Sequence, residues 1–167
     1  MSDFKVTEPS AKCGFIPITV ENCFRVGDFR DEGRISEYRH KLAKTEIGFF
    51  AECDGKMVGS IWATINNGSV PAVVRTYMKL MPNEALIHDI VTGERSRGKG
   101  VGPFMVVRIA SSLLSKYGVS RIIVDVNVRN RPSLRMMEKA GLQVKVKVLY
   151  VSAFGNLVRQ KVLKHYA

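Results

Sequence analysis

Arg97, Gly98, Lys99, Gly100, Val101 and Gly102 set three alternate glycines among two cations. Glycine lets the backbone turn sharply and approach a ligand closely, and the cations complement negative charge, so this stretch is chemically suited to hold an anion such as a phosphate. A nucleoside-triphosphate loop would need Ser or Thr directly after the Gly-Lys pair, where Gly100 stands. A dinucleotide fingerprint would need GxGxxG at the first strand-to-helix turn, whereas this GxGxG lies in mid-chain. Nine residues before Arg97 comes His88, whose side chain exchanges a proton near neutral pH. Cys13, Cys23 and Cys53 lie at scattered positions with neither CxxC nor histidine partners at metal spacing. They read as reduced thiols, and no metal is expected.

The elements that must position these residues follow from pattern. Leu86–Val91 reads as a strand feeding the glycine loop, with Leu86, His88 and Ile90 on one face and Ile87, Asp89 and Val91 on the other. After the loop, apolar residues at Val106, Val107, Ala110, Leu113, Leu114 and Tyr117 recur at helical spacing. Pro103 fits the first turn, where its missing N–H costs nothing, and Gly118 fits the stop. The unpaired amides of the helix start therefore point into the glycine loop. A second strand over 122–128 completes a strand-helix-strand unit, which should be parallel and right-handed.

Upstream, Ile47–Val58 predicts a hairpin turning at Asp54-Gly55, and Phe15–Val20 a first strand that Pro17 confines to an edge. Residues 21–44 predict two short helices, while the pattern over 70–83 fits either an extension of the third strand or a crossover. Downstream, Asn130–Leu142 predicts a helix stopped at Gly141. Val144, Val146, Val148 and Tyr150 alternate with Lys145 and Lys147, predicting a strand with one buried face, and 152–156 a turn into a return strand at 157–165. Met1–Ser10 is polar and expected to be loosely held.

With 167 residues, 46% hydrophobic and 25% charged, the chain fits one globular domain over 1–167. A net charge of +11 favours acidic ligands without choosing among nucleotides, nucleic acid and anionic surfaces. No secretory signal and no apolar run of about 18 residues is present, so a cytoplasmic protein without a membrane partner is expected.

Residues 46–166 resemble the GNAT superfamily, the Gcn5-related N-acetyltransferases. The family's pyrophosphate motif is Q/R, two residues, G, one residue, G/A, and Arg97, Gly100 and Gly102 meet it. NRPSLRMMEKAGL is similar to the family's NxxAxxLYEKxGF segment, with Asn130, Ser133, Met136, Lys139, Gly141 and Leu142 at the corresponding places. AECDGKMVGSIW resembles its second and third strands. The resemblance implies the α/β GNAT fold: a mixed sheet of about six to seven strands with splayed parallel central strands, flanked by about four helices.

The same resemblance implies acetyl-CoA as cosubstrate and direct acyl transfer to the primary amine of a small molecule or peptide. Gly98, Lys99, Gly100, Val101 and Gly102, with Arg97, would hold the pyrophosphate. Backbone groups of Ile90, Val91 and Thr92 would hold the pantetheine arm, one amide stabilising the developing oxyanion, and Asn130 would bond the cofactor arm. His88 stands where some members carry a histidine and is the candidate general base, with Asp89 and Glu84 as alternatives. The family tyrosine that would protonate the leaving thiolate is here Met137, which leaves Tyr150 or solvent for that step. A non-catalytic acyl-CoA-binding regulatory module is one alternative. Acetylation of an amine carried on RNA or on a ribosomal protein, suggested by the charge, is another. It ranks below transfer to a small-molecule or peptide amine because the sequence shows no RNA-binding motif and no interleaving of aromatic and basic residues, so nucleic acid is not the expected partner. A homodimer is in keeping with the family.

Overall fold

The structure, a computed structural model, describes residues 9, 12–75, 77–153 and 156–166. Strand β1 (Cys13–Pro17) forms the edge of a five-stranded sheet, as Pro17 requires, and pairs antiparallel with β2 (Ile47–Cys53). Asp54 and Gly55, with φ of 52° and 75°, make the tight turn into β3 (Lys56–Ile65). Two further hairpin strands, β4 (Ala72–Arg75) and β5 (Met78–Leu80), form a small sheet of their own. The segment over 70–83 is thus neither a strand extension nor a crossover. Strand β6 (Glu84–Thr92) pairs with β3, and β7 (Arg121–Val124) adds to β6 in parallel, giving the order β1-β2-β3-β6-β7.

Residues 21–44 fold as a 3₁₀ turn (Cys23–Asp28) and helix α1 (Arg34–Ala43) on one face of this sheet. Helix α2 (Val101–Lys116) covers the other, and α3 (Arg131–Lys139) packs beside it. Both faces are apolar because the strands alternate into two cores. Phe49, Ala51, Ile61 and Ala63 pack toward α2, whereas Phe50, Met57 and Trp62 pack with Tyr38 of α1. Met105, Val106, Ile109, Ala110 and Leu113 carry the buried stripe of α2. Leu114 and Tyr117, expected in that stripe, are 39% and 42% exposed: Leu114 lies about a quarter of a turn round the helix from the buried Leu113, at the stripe's edge, and Tyr117 is the C-cap beyond the last helical residue. Gly118, at φ 64°, stops α2, and Gly141, at φ 83°, follows the last turn of α3.

Strands β8 (Val146–Ala153) and β9 (Asn156–His165) form a separate two-stranded ribbon, so the nine strands among the described residues are divided five, two and two. The face expected to be buried in β8 is only partly covered: Val144 and Val146 are exposed and Val148 and Tyr150 half-buried. The turn expected over 152–156 and the polar start at 1–10 lie partly outside the described residues.

Cys13 and Cys53 are bonded as a disulfide and only Cys23 is a free, buried thiol, which corrects the reading of three reduced cysteines. The β1–β2 register sets the first two directly opposite each other, a proximity that their separation of 40 residues conceals. Among the described residues, no helix is long and apolar enough to cross a membrane.

Candidate active site

The site is built where two parallel strands part. Strands β6 and β7 are in register from Glu84 opposite Arg121 to Ile87 opposite Val124. Beyond that point β7 ends, while β6 runs on to Thr92 with Ser60 and Gly59 of β3 paired to its Val91 and Thr92. The edge of β6 that faced β7 is therefore left without a strand partner over Ile90, Val91 and Thr92. A cleft of about 140 Å³ opens in the fork, lined by His88 and Ile90 of β6, Asp125 beyond β7, and Asn130, Met136 and Met137 at α3. A larger cavity of about 280 Å³ beside Lys116 and Tyr117 holds none of the predicted site residues.

The simple alternation expected along β6 does not survive at the fork. Trp62 pairs with His88 and Ser60 with Val91, so one residue of β3 faces two of β6, and Asp89 adopts φ 43°. This bulge turns His88 and Asp89 to the same side of the sheet, the side covered by α1, and returns Ile90 to the α2 core with Ile87. His88 shares a hydrogen bond of 3.0 Å between Nε2 and Thr64 Oγ1, and the same nitrogen lies 3.3 Å from Glu46 Oε2. The geometry to Glu46 is not that of a hydrogen bond: Oε2 is buried without a hydrogen-bonding partner among the described residues.

Asp89 is committed elsewhere. It is ion-paired with Lys41 and lies 3.5 Å from Arg30 Nη1, and Arg30 in turn reaches the Tyr38 hydroxyl, which shares a buried hydrogen bond of 2.6 Å with Ser60. Both its carboxylate oxygens are thus engaged by cations of the fold and not open to an incoming amine, which weakens its claim as an alternative base. Glu84 is removed from consideration by position. It lies at the start of β6, 2.5 Å from Arg121, and accepts the Met81 amide at 2.9 Å.

The glycine loop follows β6 through a short 3₁₀ turn (Glu94–Ser96). Gly98 and Gly100 have φ of 78° and 83°, values in the left-handed region that favours glycine, and Gly100 is the N-cap of α2. The first-turn amides of Val101 and Gly102 have no acceptor within the helix, and Pro103 brings none. Together with the helix dipole they make the mouth of the loop an anion-binding position. Arg97 Nε reaches back to Thr92 O at 3.4 Å and Nη1 lies 3.7 Å from Glu94, so this exposed side chain tethers the loop to the end of β6. Gly102 is crowded by Met136: a Cβ there would lie 2.5 Å from its Sδ, so a larger residue must displace that side chain. Asn130 caps α3 by accepting the Ser133 amide at 3.2 Å, and its residue also lines the cleft.

One cluster at the fork was not foreseen. Tyr77 donates to Asp125 Oδ2 at 2.6 Å, and Arg75 Nη1 donates to the same oxygen at 3.1 Å and to the Tyr77 hydroxyl at 2.8 Å. Tyr150 packs on Tyr77 with ring centroids 4.4 Å apart. Burial, followed by the bond to Asp125, pushes the Tyr77 phenol above its ordinary value, and burial with the charge of Asp125 does the same for Tyr150. Only Tyr150 carried a signal in the sequence, since Arg75 and Tyr77 sit in the segment whose pattern was ambiguous.

The family model for the Acetyltransferase (GNAT) family matches residues 18–142. The chain belongs to the GNAT acetyltransferase family. Solved structures agree on the GNAT fold. The aminoglycoside N-acetyltransferase AAC(6')-Iy, solved with the bisubstrate analogue CoA-S-monomethyl-acetylneamine, is 14% identical with a TM-score of 0.67, covering 86% of this chain and 99% of its own. A ribosomal-protein-alanine N-acetyltransferase from Brucella melitensis biovar Abortus 2308 is 14% identical with a TM-score of 0.63, covering 86% and 100%. Glucosamine-6-phosphate N-acetyltransferase from Arabidopsis thaliana is 16% identical with a TM-score of 0.56, covering 86% and 99%. No curated protein sequence matches the chain. The GNAT motifs read from the sequence, Arg97-Gly100-Gly102 and Asn130–Leu142, fall within the matched residues.

Proposed function

We propose that this GNAT protein is an acetyl-CoA-dependent N-acetyltransferase acting on a primary amine. The observation that carries this reading is the fork, where β6 extends past β7 beside a left-handed glycine loop and a helix start. An extended pantetheine arm can pair with Ile90–Thr92 as an added strand, while the pyrophosphate meets the amides of residues 98–102 and the charges of Arg97 and Lys99. Asn130, on the cleft wall, is within the same groove. Bound acetyl-CoA supplies an activated thioester, and the chain's own residues do the rest. An amide of the Ile90–Thr92 segment stabilises negative charge on the carbonyl oxygen. His88, at the fork and held by Thr64, removes a proton from the incoming ammonium, directly or through water, because only the neutral amine has a lone pair to attack with.

The acceptor enters on the α1 side, where His88 and the Asp89 bulge face the 3₁₀ turn and α1. The structural relatives named above act on aminoglycosides, a ribosomal-protein alanine and glucosamine 6-phosphate, which makes these amines the first panel to try. The test is release of free thiol from acetyl-CoA over that panel. At least one amine class should raise thiol release above background in the wild type and fail to do so in His88→Ala. A second reading rests on Met137, which lines the cleft with a side chain that has no proton to give. Stoichiometric CoA binding with no turnover over the whole panel would favour that non-catalytic reading.

A further inference from the structure

The cations of this chain are unevenly placed. Residues 139–167 contain six Lys or Arg and no Asp or Glu. Four of the six stand on the β8–β9 ribbon. Lys147 lies directly opposite Lys164, Leu149 opposite Lys161, and Val151 opposite Arg159, with the extra residue of β9 absorbed where the register shifts between Lys147 and Val148. Opposed residues share a face and every second residue of a strand returns to it, so these six side chains form one face of the ribbon. The other face carries Tyr150 and is turned toward Tyr77. All six residues of the basic face are exposed, Leu149 by 46% and Val151 by 43%. Among the described residues, none of its four cations forms an ion pair.

Like charges directly opposed across a ribbon are destabilising, and here no acidic residue of the ribbon relieves them. A partner must supply the negative charge. A second copy of this face would set the same cations against themselves, so it is a poor partner. The pattern narrows the choice further. Along β9, Lys164, Lys161 and Arg159 make one row of charge, with Lys147 across from its C-terminal end, that a flexible polyanion can follow. Leu149 and Val151 lie across from Lys161 and Arg159 as an apolar strip beside that row, which would gain nothing against the phosphates of a duplex but can be covered by the apolar faces of unstacked bases. Tyr166, exposed and with Lys164 Nζ 4.6 Å from its ring centre, extends the surface with an aromatic suited to stacking.

We propose that this face of the β8–β9 ribbon docks single-stranded RNA, with phosphates on Lys147, Lys164, Lys161 and Arg159 and bases over Leu149 and Val151. The proposal is independent of acetyl transfer. It is tested by fluorescence anisotropy of a labelled, unstructured RNA of about twenty nucleotides, titrated with the protein at several salt concentrations. The wild type should bind with an affinity that falls linearly in the logarithm of salt. Lys147→Glu/Lys164→Glu should weaken binding by about tenfold or more and flatten the salt slope, since each lost phosphate contact removes a little under one from it. Arg159→Glu/Lys161→Glu is a second test of the same face, so that misfolding of one variant does not decide the matter. Lys44→Glu/Lys56→Glu, which changes net charge equally at exposed sites elsewhere, should leave affinity within about twofold. Equal losses in all three variants would overturn the proposal, as would absence of binding at low salt. A duplex RNA, or vesicles of phosphatidylserine and phosphatidylcholine, bound in preference to the single strand at equal phosphate concentration would overturn it too.

Discussion

His88 and Asp125 stand on either side of the fork, each one residue past the last paired register of Ile87 with Val124, and both line the same cleft. Ile87 and Val124 pack toward α2, so the next residue on each strand turns to the opposite face, where α1 and the acceptor side lie. His88, Arg75 and Asp125 therefore line one cleft, which in the proposed reaction receives the thioester. His88→Ala is expected to lower kcat by about a hundredfold or more, the usual range for loss of a general base, while the thermal shift produced by CoA is retained. Steady-state rates and a ligand melt on the same variant separate chemistry from binding.

Gly102 sets the distance between α2 and α3. Gly102→Val would drive its side chain into Met136, 2.5 Å from the first added carbon, and is expected to cost about 1–3 kcal/mol of stability. It should also abolish the response to CoA, because the same displacement closes the mouth of the cleft. Urea unfolding with and without CoA measures both effects.

The disulfide between Cys13 and Cys53 makes a countable prediction. Denatured but unreduced protein should show one reactive thiol, from Cys23, and reduction should expose three. The loop spans 40 residues, for which chain entropy alone gives on the order of 3–4 kcal/mol, so Cys13→Ser/Cys53→Ser should lower stability by an amount of that order at most.

How much of this was legible beforehand differs from element to element. Helix α2 and the β2–β3 hairpin were, because Pro103, Gly118 and Asp54-Gly55 act through local backbone chemistry that a sequence displays directly. The glycine loop was legible for the same reason. The bulge at Asp89 was not: positive φ in a residue other than glycine leaves no mark on the pattern, and it reversed the face of Asp89 and of Ile90. Contacts made by register were equally hidden, as with Cys13 and Cys53 or Arg75 and Asp125, which are 50 residues apart. In β8 the alternation of Val and Lys was real, yet burial depends on what covers a ribbon and cannot be read from the strand itself.

Alkaline pH should destabilise the fold through Tyr77. Its phenol is raised above the ordinary 10.0 by burial and then by the bond to Asp125, so the folded state holds this proton more tightly than the unfolded chain. The resulting stability is fully present below about pH 10 and is lost as pH rises through the folded-state value. Wild type should therefore lose more stability than Tyr77→Phe between neutral pH and pH values above 10, measured as urea midpoints. Parallel curves for the two proteins would mean that the Tyr77 proton is not held by the fold.

Binding of acetyl-CoA and CoA by isothermal titration, in the wild type and in Arg97→Glu/Lys99→Glu, tests the central claim most directly. Both side chains are exposed, so the double reversal changes the anion site without disturbing the core. One molecule should bind per chain, and the variant should bind at least about tenfold more weakly, as expected when two charge-assisted contacts to phosphate are lost. No binding by the wild type at ligand concentrations far above micromolar, or equal binding by both proteins, would contradict the assignment of the glycine loop and the fork as the cofactor site.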